Sequence, residues 1–267
     1  MVVMNEIPDF KWIWEVPDLR DVKQPDILTP DQFVDLIQRI DNERVDPLIA
    51  MRNQAMLWMT YGSLFRAVEV SKWTVKAALY PNGELVRITR LRAEQTKGNY
   101  PALAPIVIAE QRQIVSEWLD NRVKHRVGLS KQPSDKYRGL DPDSPVFLSF
   151  HHGVWKPFSL TRKVSKGKEY LVATVVQNLL TKLYKDYGHT KCSSHTGRHS
   201  MARFAEKMYK RRNDPDAQRI VQQLLHHRDP DSQRDYTDID FNHIRACAAR
   251  MMPEPKKRGR KPKVEVK

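Results

Sequence analysis

The sequence predicts a mostly α protein that also contains a small antiparallel β-sheet, which is the α+β fold class. Apolar residues recur every three or four positions over most of the chain, and capping signals precede the first periodic segments. One segment with tight-turn residues and short apolar runs interrupts this pattern, as expected of joined strands. At 267 residues the chain can bury a sizeable core and form one large domain or two small ones.

The first two helices are recognised by their ends. Thr29 is a suitable N-cap, Pro30 favours the first helical position, and Gln32 completes a capping box. The second helix spans about 46–61 and stops at Gly62, because glycine commonly follows a helix end. Both segments carry an apolar stripe, which is the pattern of a helix packed on a core.

Three short strands joined by tight turns are predicted next. They lie at 73–79, 85–89 and 104–108, with turns at Pro81-Asn82-Gly83 and Thr96-Lys97-Gly98-Asn99. Further helices are predicted at about 110–126, 169–187, 197–212, 214–226 and 240–252. Residues 128–145 are expected to form a long loop rather than a domain linker, since the same periodicity resumes after them.

The charge of the chain predicts a polyanionic partner. With 46 Lys+Arg against 32 Asp+Glu, the formal net charge is +14. Residues 256–267 contain seven basic residues and one Glu, so they carry +6 of that charge and the rest of the chain +8. Charge alone leaves open a solvated basic surface without such a partner.

Other features of the composition indicate the compartment. Two cysteines are too few for a disulfide framework, and no apolar run approaches the ~18 residues of a membrane span. The N-terminus does not resemble a signal peptide. We therefore expect a cytoplasmic, nucleoid-associated protein.

The residues that bear chemistry begin near the C-terminus. His195 and Arg198 have the spacing H-x-x-R, which places them on one face of a helix. His227 follows, and eight residues separate it from Tyr236. Cations, imidazoles and a phenol are what a metal-free attack on a phosphodiester needs, because the attacking oxygen must lose a proton while the charge on phosphorus is held.

Two upstream residues extend this set. Arg66 comes just after a helix end, and Lys97 lies at the tip of a predicted hairpin, where an ammonium group can reach a leaving oxygen. Taken singly, Arg66 reads as a surface cation and Lys97 as a solvated turn residue. The neighbouring His226 and His227 could instead bind a metal, but adjacent side chains point apart on a helix and no carboxylate-rich partner is obvious.

In order and spacing, these residues resemble the catalytic domain of the tyrosine recombinase, or phage integrase, family. That family has a T-G-L-R-x-x-E box, a T-K hairpin, an H-x-x-R box, an L-G-H box and a final R-Y-T. The corresponding segments here are Gly62–Glu69, with a longer spacing between glycine and arginine, then Thr96-Lys97, His195–His199, Leu225-His226-His227 and Asp235-Tyr236-Thr237. The resemblance covers about 29–245 and implies the tyrosine recombinase catalytic-domain fold.

The resemblance implies which residues hold the scissile phosphate. Arg66 and Arg198 would each bind two of its oxygens with a guanidinium fork. His227 would donate a third hydrogen bond. Glu69 would orient Arg66 from behind, and His226 stands where the family has the glycine of L-G-H.

The resemblance also implies the reaction. Tyr236 would be the nucleophile, His195 its base, and Lys97 the acid that protonates the departing 5′ oxygen. The product would be a 3′-phosphotyrosyl link that stores the bond energy for rejoining, without metal, ATP or other cofactor. The implied function is site-specific recombination or integration of double-stranded DNA. A type IB topoisomerase and a non-catalytic DNA-binding regulator that keeps the fold are the alternatives.

The domain organisation and partners follow from the same reading. We expect an N-terminal arm at 1–28, a catalytic domain at 29–252, and a basic disordered tail at 253–267. The family usually carries a DNA-clamping domain before the catalytic domain, so a catalytic fragment and a minimal recombinase both remain open. The protein is expected to be a monomer in solution and a homo-tetramer on synapsed DNA. The tail resembles an AT-hook, and its expected DNA contacts are Lys256, Lys257, Arg258, Arg260 and Lys261.

Overall fold

The computed structural model describes residues 27–41, 46–96, 100–132, 134–165, 167–212 and 217–225. Within these ranges the helices are α1 (Pro30–Asp41), α2 (Pro47–Gly62), α3 (Ala67–Lys72), α4 (Val75–Ala78), α5 (Ala109–Lys124), α6 (Thr174–Asp186), α7 (Thr196–Arg211) and α8 (Ala217–Leu224). The strands are β1 (Ile88–Leu91), β2 (Ala102–Pro105), β3 (Leu148–His151), β4 (Val154–Pro157), β5 (Thr161–Ser165) and β6 (Lys168–Val172).

The α+β fold class is confirmed, with the strands in antiparallel pairs. Consecutive strands form three separate two-stranded ribbons in the described residues: β1 with β2, β3 with β4, and β5 with β6. The helices carry most of the core, to which β1 and β2 also contribute buried residues, whereas β4 and β5 lie on the surface. No helix within the described ranges combines the length and apolar character needed to cross a membrane.

Helix α2 is the centre of the core. It contacts α1, α5 and α7, and residues 52–62 of it are all buried. The rings of Phe33 on α1 and Tyr61 on α2 stack with their centroids 3.9 Å apart. Arg52, also buried, donates to the Leu148 carbonyl (3.0 Å) and thereby joins α2 to β3. The apolar stripe predicted for this helix is therefore too narrow. A helix that is buried on all sides does not show the amphipathic period of a surface helix.

The predicted helix starts are confirmed by their hydrogen bonds. The Thr29 amide donates to Gln32 Oε1 (2.9 Å), and the Gln32 amide donates to Thr29 Oγ1 (3.2 Å), which is a complete capping box. Asp46 caps α2 by accepting from the amides of the next turn. The Leu28 amide donates to Ser200 Oγ (2.8 Å), so the start of α1 is fixed to α7.

Two predicted elements are wrong. The predicted strand at 73–79 contains the helical turn α4, with only single bridges at Thr74 and Leu79. The predicted helix at 169–187 begins at Thr174, because Lys168–Val172 forms β6. The ribbon strands β3, β4 and β5 were not predicted at all.

Candidate active site

The turn after α2 positions the first arginine. The Phe65 amide donates to the Met59 carbonyl six residues back (3.1 Å), one residue further than the long bond of a Schellman C-cap spans. Leu64, the residue before that donor, has a left-handed backbone with φ +55°, and its side chain is fully buried. Ser63 Oγ secures the turn, since it donates to the Pro105 carbonyl (2.6 Å) and accepts from Gln111 Nε2 (2.7 Å).

Leu64 corrects the alignment of the first box. The pattern T-G-L-R has its glycine two residues before the arginine, and the residue two before Arg66 is the left-handed Leu64. Gly62 is instead the last residue of α2, where a Cβ would lie 2.8 Å from Gln111 Oε1. The matching segment is therefore Ser63 to Arg66 with no change of spacing. A left-handed backbone costs a leucine about 1–2 kcal/mol.

Arg66 is the N-cap residue of α3 and is held by Glu69. The Arg66 amide donates to Glu69 Oε2 (2.7 Å), and its Nη1 donates to Glu69 Oε1 (3.0 Å). The Glu69 side chain is fully buried, whereas a fifth of the Arg66 side chain is exposed. In this arrangement Glu69 fixes the direction in which the Arg66 guanidinium points.

Helix α7 brings Arg198 against the same turn. A Cβ on Gly197 would lie 2.9 Å from both Thr60 Oγ1 and Tyr184 Oη, so the glycine lets α7 approach α2 closely. Arg198 is buried, and its Nη1 donates to the Leu64 carbonyl. The left-handed turn therefore presents a backbone acceptor to Arg198.

Both guanidinium groups converge on one carbonyl oxygen. Arg66 Nη2 lies 3.3 Å from the Leu225 carbonyl oxygen, and Arg198 Nη2 donates to the same atom. Leu225 directly follows α8 and directly precedes His226 and His227 in the sequence. Three segments that are far apart in the chain thus meet at one point: the start of α3, the first turn of α7 and the end of α8.

The paired arginines make this point electropositive and poorly solvated. Burial and the nearby Arg66 guanidinium lower the pKa of Arg198, whereas Glu69 raises it. Two positive groups face one carboxylate and the partial charge of a carbonyl. An anion with several oxygens would relieve their repulsion and match the fork of a guanidinium group. The arrangement is suited to binding a phosphate.

His195 and Arg198 differ in their surroundings. His195 directly precedes α7 and is exposed, whereas Arg198, one turn later, is buried. The His195 carbonyl accepts from the His199 amide (3.0 Å), and the centroids of the two rings lie 6.2 Å apart. Burial and Arg198 lower the pKa of His199. The helical spacing therefore brings both predicted residues to one helix end, with His195 on the solvent side.

Lys97 lies outside the described residues, but both ends of its loop are tied together. Thr96 Oγ1 accepts from the Tyr100 amide (3.0 Å) and donates to the Tyr100 carbonyl (2.8 Å). These bonds close the connection between the turn that follows β1 and the start of β2. Thr96 and Tyr100, the described residues on either side of 97–99, are therefore held together.

Gln95 joins this loop to the helix that begins after Arg66. Gln95 Nε2 donates to the Lys72 carbonyl at the end of α3 (2.8 Å), and Lys72 Nζ donates to the Glu94 carbonyl. Gln95 Oε1 also accepts from the Arg92 amide (2.7 Å). The buried amide of Gln95 thus connects the loop to α3.

Several predicted site residues cannot be placed in this geometry. The following lie outside the described residues and stay predictions: His226, His227, Tyr236, Lys256, Lys257, Arg258, Arg260 and Lys261. Sequence reasoning missed the carbonyl acceptors of Leu64 and Leu225, because a backbone acceptor leaves no residue signature. It also passed over Gly197, although the glycine inside H-T-G-R was a signal of close helix packing.

Comparisons with known proteins agree with the fold. The crystal structure of XerA recombinase is 18% identical, with a TM-score of 0.50, and the match covers 90% of this chain and 68% of that one. A post-cleavage complex of XerH site-specific recombinase with its palindromic difH substrate is 18% identical, with a TM-score of 0.47, over 87% of this chain and 54% of that one. The integrase from mycobacterium phage Brujita is 15% identical, with a TM-score of 0.48, over 88% and 62%.

This chain spans about half the length of the XerH chain that it matches. A search of the curated proteins finds no match. The family model described as the phage integrase family matches residues 26–243, which is most of the chain. The protein therefore belongs to the phage integrase family.

Proposed function

We propose that this protein is a site-specific DNA recombinase, or integrase, that breaks and rejoins double-stranded DNA through a 3′-phosphotyrosyl intermediate. The observation that carries the proposal is the convergence of Arg66 and Arg198 on one oxygen atom, next to His226 and His227 in the chain. Membership of the phage integrase family supports the same reaction class.

The scissile phosphate binds where the two guanidinium groups meet. Its non-bridging oxygens accept hydrogen bonds from the two Nη2 groups that point at the Leu225 carbonyl oxygen. His227 donates a third hydrogen bond, and Glu69 keeps Arg66 oriented while this exchange takes place. Fixed donors of this kind stabilise the charge that develops on a pentacoordinate phosphorus without reorganising during the reaction.

Tyr236 attacks the phosphorus through its phenolic oxygen. A new O–P bond to the 3′-side phosphate forms while the bond from phosphorus to the 5′ oxygen breaks. The phenolic proton passes to His195, and Lys97 donates a proton to the departing 5′ oxygen. The free phenol has a pKa of about 10, so the field of the two arginines is needed to stabilise the developing phenolate.

The covalent link conserves the energy of the phosphodiester. Attack of a 5′-hydroxyl on the phosphotyrosine reverses the step and restores an intact strand, and exchange of partners at this stage yields recombination. No metal or nucleotide cofactor enters this scheme. We propose residues 29–252 as the catalytic domain, 1–28 as an arm and 253–267 as a basic tail that contacts DNA, with four protomers assembling on two DNA sites.

The proposal is tested by trapping the intermediate on suicide DNA. The protein is incubated with a pool of candidate attachment sites that carry a nick or a 5′-bridging phosphorothiolate, and products are separated on a denaturing gel. We expect a covalent adduct with the wild type and none with Tyr236→Phe. The matched control is Tyr80→Phe, because Tyr80 is exposed and lies on the turn before β1; this variant should form the adduct normally.

The outcomes separate the alternatives. An adduct that leads to joined products from two DNA partners supports the recombinase. Relaxation of supercoiled DNA without exchange of partners would indicate a type IB topoisomerase instead. Tight binding of DNA without an adduct on any substrate would contradict the catalytic proposal and favour a regulator that keeps the fold.

A further inference from the structure

A two-stranded ribbon projects beside the candidate active site. It consists of β5 and β6, and we call these two strands the basic ribbon. Its strand β6 packs against α3, the helix that begins directly after Arg66 and carries Glu69 in its first turn. The ribbon is therefore attached to the helix that follows Arg66, one of the two arginines that the proposed function places on the scissile phosphate.

The basic ribbon exposes two cationic side chains. Arg162 and Lys163 on β5 are exposed, and the side chain of Arg162 keeps 80% of its surface accessible. Glu169, which lies 3.6 Å from Arg162, is the one acidic residue of the two strands, and Lys168 is a third basic residue. Lys166, which follows β5 in the sequence, lies outside the described residues.

Strand β5 lacks the cover that stabilises a strand of an ordinary β-sheet, whereas β6 packs against α3. All side chains described on β5 are exposed, including Val164 at 67%, so neither face of this strand is buried by the protein body. A two-stranded hairpin exposed on both faces is marginally stable in water. A partner that lies against β5 would supply the missing contacts, and the charge of the strands selects a polyanion.

The dimensions of the ribbon fit one such partner. Two strands about 4.8 Å apart form a ribbon narrow enough to enter the major groove of B-DNA, which is about 12 Å wide. Five residues of strand span roughly 17 Å, which is about five nucleotides along one DNA strand at 3.4 Å each. The ribbon can thus reach duplex DNA several base pairs from the phosphate held at Arg66.

We infer that the basic ribbon lies in a groove of the DNA duplex beside the cleavage site, with Arg162 and Lys163, which point to opposite faces of β5, contacting phosphates on the two sides of the groove. This inference rests on the proposed function for the position of the DNA. The position distinguishes the ribbon from an ordinary solvated basic surface, because its root is fixed to α3 beside the phosphate site. The Arg162–Glu169 ion pair holds the Arg162 guanidinium against the ribbon until DNA replaces the carboxylate.

The test compares the salt dependence of DNA binding. The full chain and the double variant Arg162→Gln/Lys163→Gln are titrated with a 40-bp fluorescent duplex between 50 and 200 mM salt. Each phosphate contact contributes about −0.9 to the slope of log K against log[salt], so the variant should have a slope smaller by about 1.8. The wild type should therefore lose about 12-fold more affinity over this range than the variant does.

Two controls remove the effect of net charge. Lys124→Gln/Lys131→Gln removes the same charge from exposed residues at and after the end of α5, and should leave the slope unchanged. Glu169→Gln removes the acidic residue of the ribbon and should tighten DNA binding, a gain that an unfolded variant cannot produce. An equal slope for the wild type and the ribbon variant, or an equal loss in both double variants, would overturn the inference.

A second arm locates the contact and separates this inference from the proposed function. Suicide duplexes are shortened on one side or the other of the nick, and one of them should abolish the difference in affinity between wild type and ribbon variant. At saturating protein the ribbon variant should still form the Tyr236 adduct. If the slopes differ as expected but no protein forms an adduct, the proposed chemistry fails while the ribbon remains a DNA contact. If adducts form and no duplex discriminates between the proteins, the ribbon inference fails alone.

Discussion

The left-handed turn at Leu64 allows a thermodynamic test at two matched sites. Leu64 and Leu57 are both leucines with fully buried side chains. Leu57 lies within α2, whereas Leu64 has a φ of +55°. We compare alanine and glycine at each position. Replacing a buried leucine costs about 2–5 kcal/mol through the lost contacts and the cavity, and this cost applies at both sites.

The informative quantity is the difference between glycine and alanine. At Leu57, glycine should be less stable than alanine by about 1 kcal/mol of helix propensity and about 0.8 kcal/mol for the missing methyl group. At Leu64 the missing methyl group and the greater entropy of glycine in the unfolded chain lower the stability of the glycine variant by the same amounts. The alanine variant there also bears about 1–2 kcal/mol of left-handed strain, which glycine does not. The difference in the free energy of unfolding between glycine and alanine should therefore favour glycine by about 1–2 kcal/mol more at 64 than at 57.

Urea denaturation of the four variants measures this quantity, because the midpoint and slope give each free energy of unfolding. Glycine at position 64 adopts the left-handed backbone without strain, so the carbonyl that accepts from Arg198 keeps its position. Leu64→Gly should therefore retain more adduct formation than Leu64→Ala. An equal glycine–alanine difference at Leu64 and Leu57 would refute the reasoning that Leu64 occupies the glycine position of the first box.

Three further changes test the packing, the electrostatics and the chemistry. Gly197→Ala should lower the free energy of unfolding by about 1–3 kcal/mol in a thermal melt, because the new Cβ would lie 2.9 Å from Tyr184 Oη. In an open helix the same change would instead raise the free energy of unfolding by about 1 kcal/mol. Unchanged stability would mean that α7 does not approach α2 closely. Burial and Arg39 lower the pKa of His189, so below about pH 6.5 the unfolded chain binds more protons than the folded chain does, and the free energy of unfolding falls as the pH drops from there through the folded pKa. His189→Gln should flatten this pH dependence in urea titrations. An unchanged profile would contradict the assignment to His189. Lys97→Ala should slow cleavage of ordinary DNA by about 10²–10⁴-fold. A substrate with a 5′-bridging sulfur should restore the rate, because a thiol with a pKa of about 8.5 leaves without a general acid. A variant that is equally slow on both substrates would show that Lys97 has another role.

The parts of the fold that were predictable depend on local signals. The capping box at Thr29 and the end of α2 at Gly62 are encoded by residues within one turn of each other, so the sequence locates both. The ribbon strands from β3 to β6 lie on the surface and lack the alternation of buried and exposed residues that identifies a strand. In Lys168–Val172 the composition suits a helix equally well, and pairing with β5 decides the outcome.

The candidate site shows the same limit at longer range. The H-x-x-R spacing identifies Arg198 and places it near a helix start, but nothing local indicates that it meets Arg66, which lies on another helix. The left-handed conformation of Leu64 could not be predicted either, because leucine is disfavoured there and only the surrounding core imposes it. From the sequence alone, the glycine of the first box is therefore assigned to Gly62, the nearest residue that suits a helix end.

The two arginines are held in different ways, and the difference suits an anion of single charge. Arg66 is paired with the buried carboxylate of Glu69, so most of its charge is balanced before any ligand arrives. Arg198 is fixed by the Leu64 and Leu225 carbonyls, which orient a guanidinium group without neutralising it. A second carboxylate in place of these carbonyls would make the site neutral and would remove its attraction for a phosphate. The cost of burying Arg198 with only carbonyl partners lowers its pKa, and a bound phosphodiester would reverse that shift by supplying the missing negative charge. On the proposed function, a bound phosphodiester therefore offsets part of the electrostatic cost of burying Arg198.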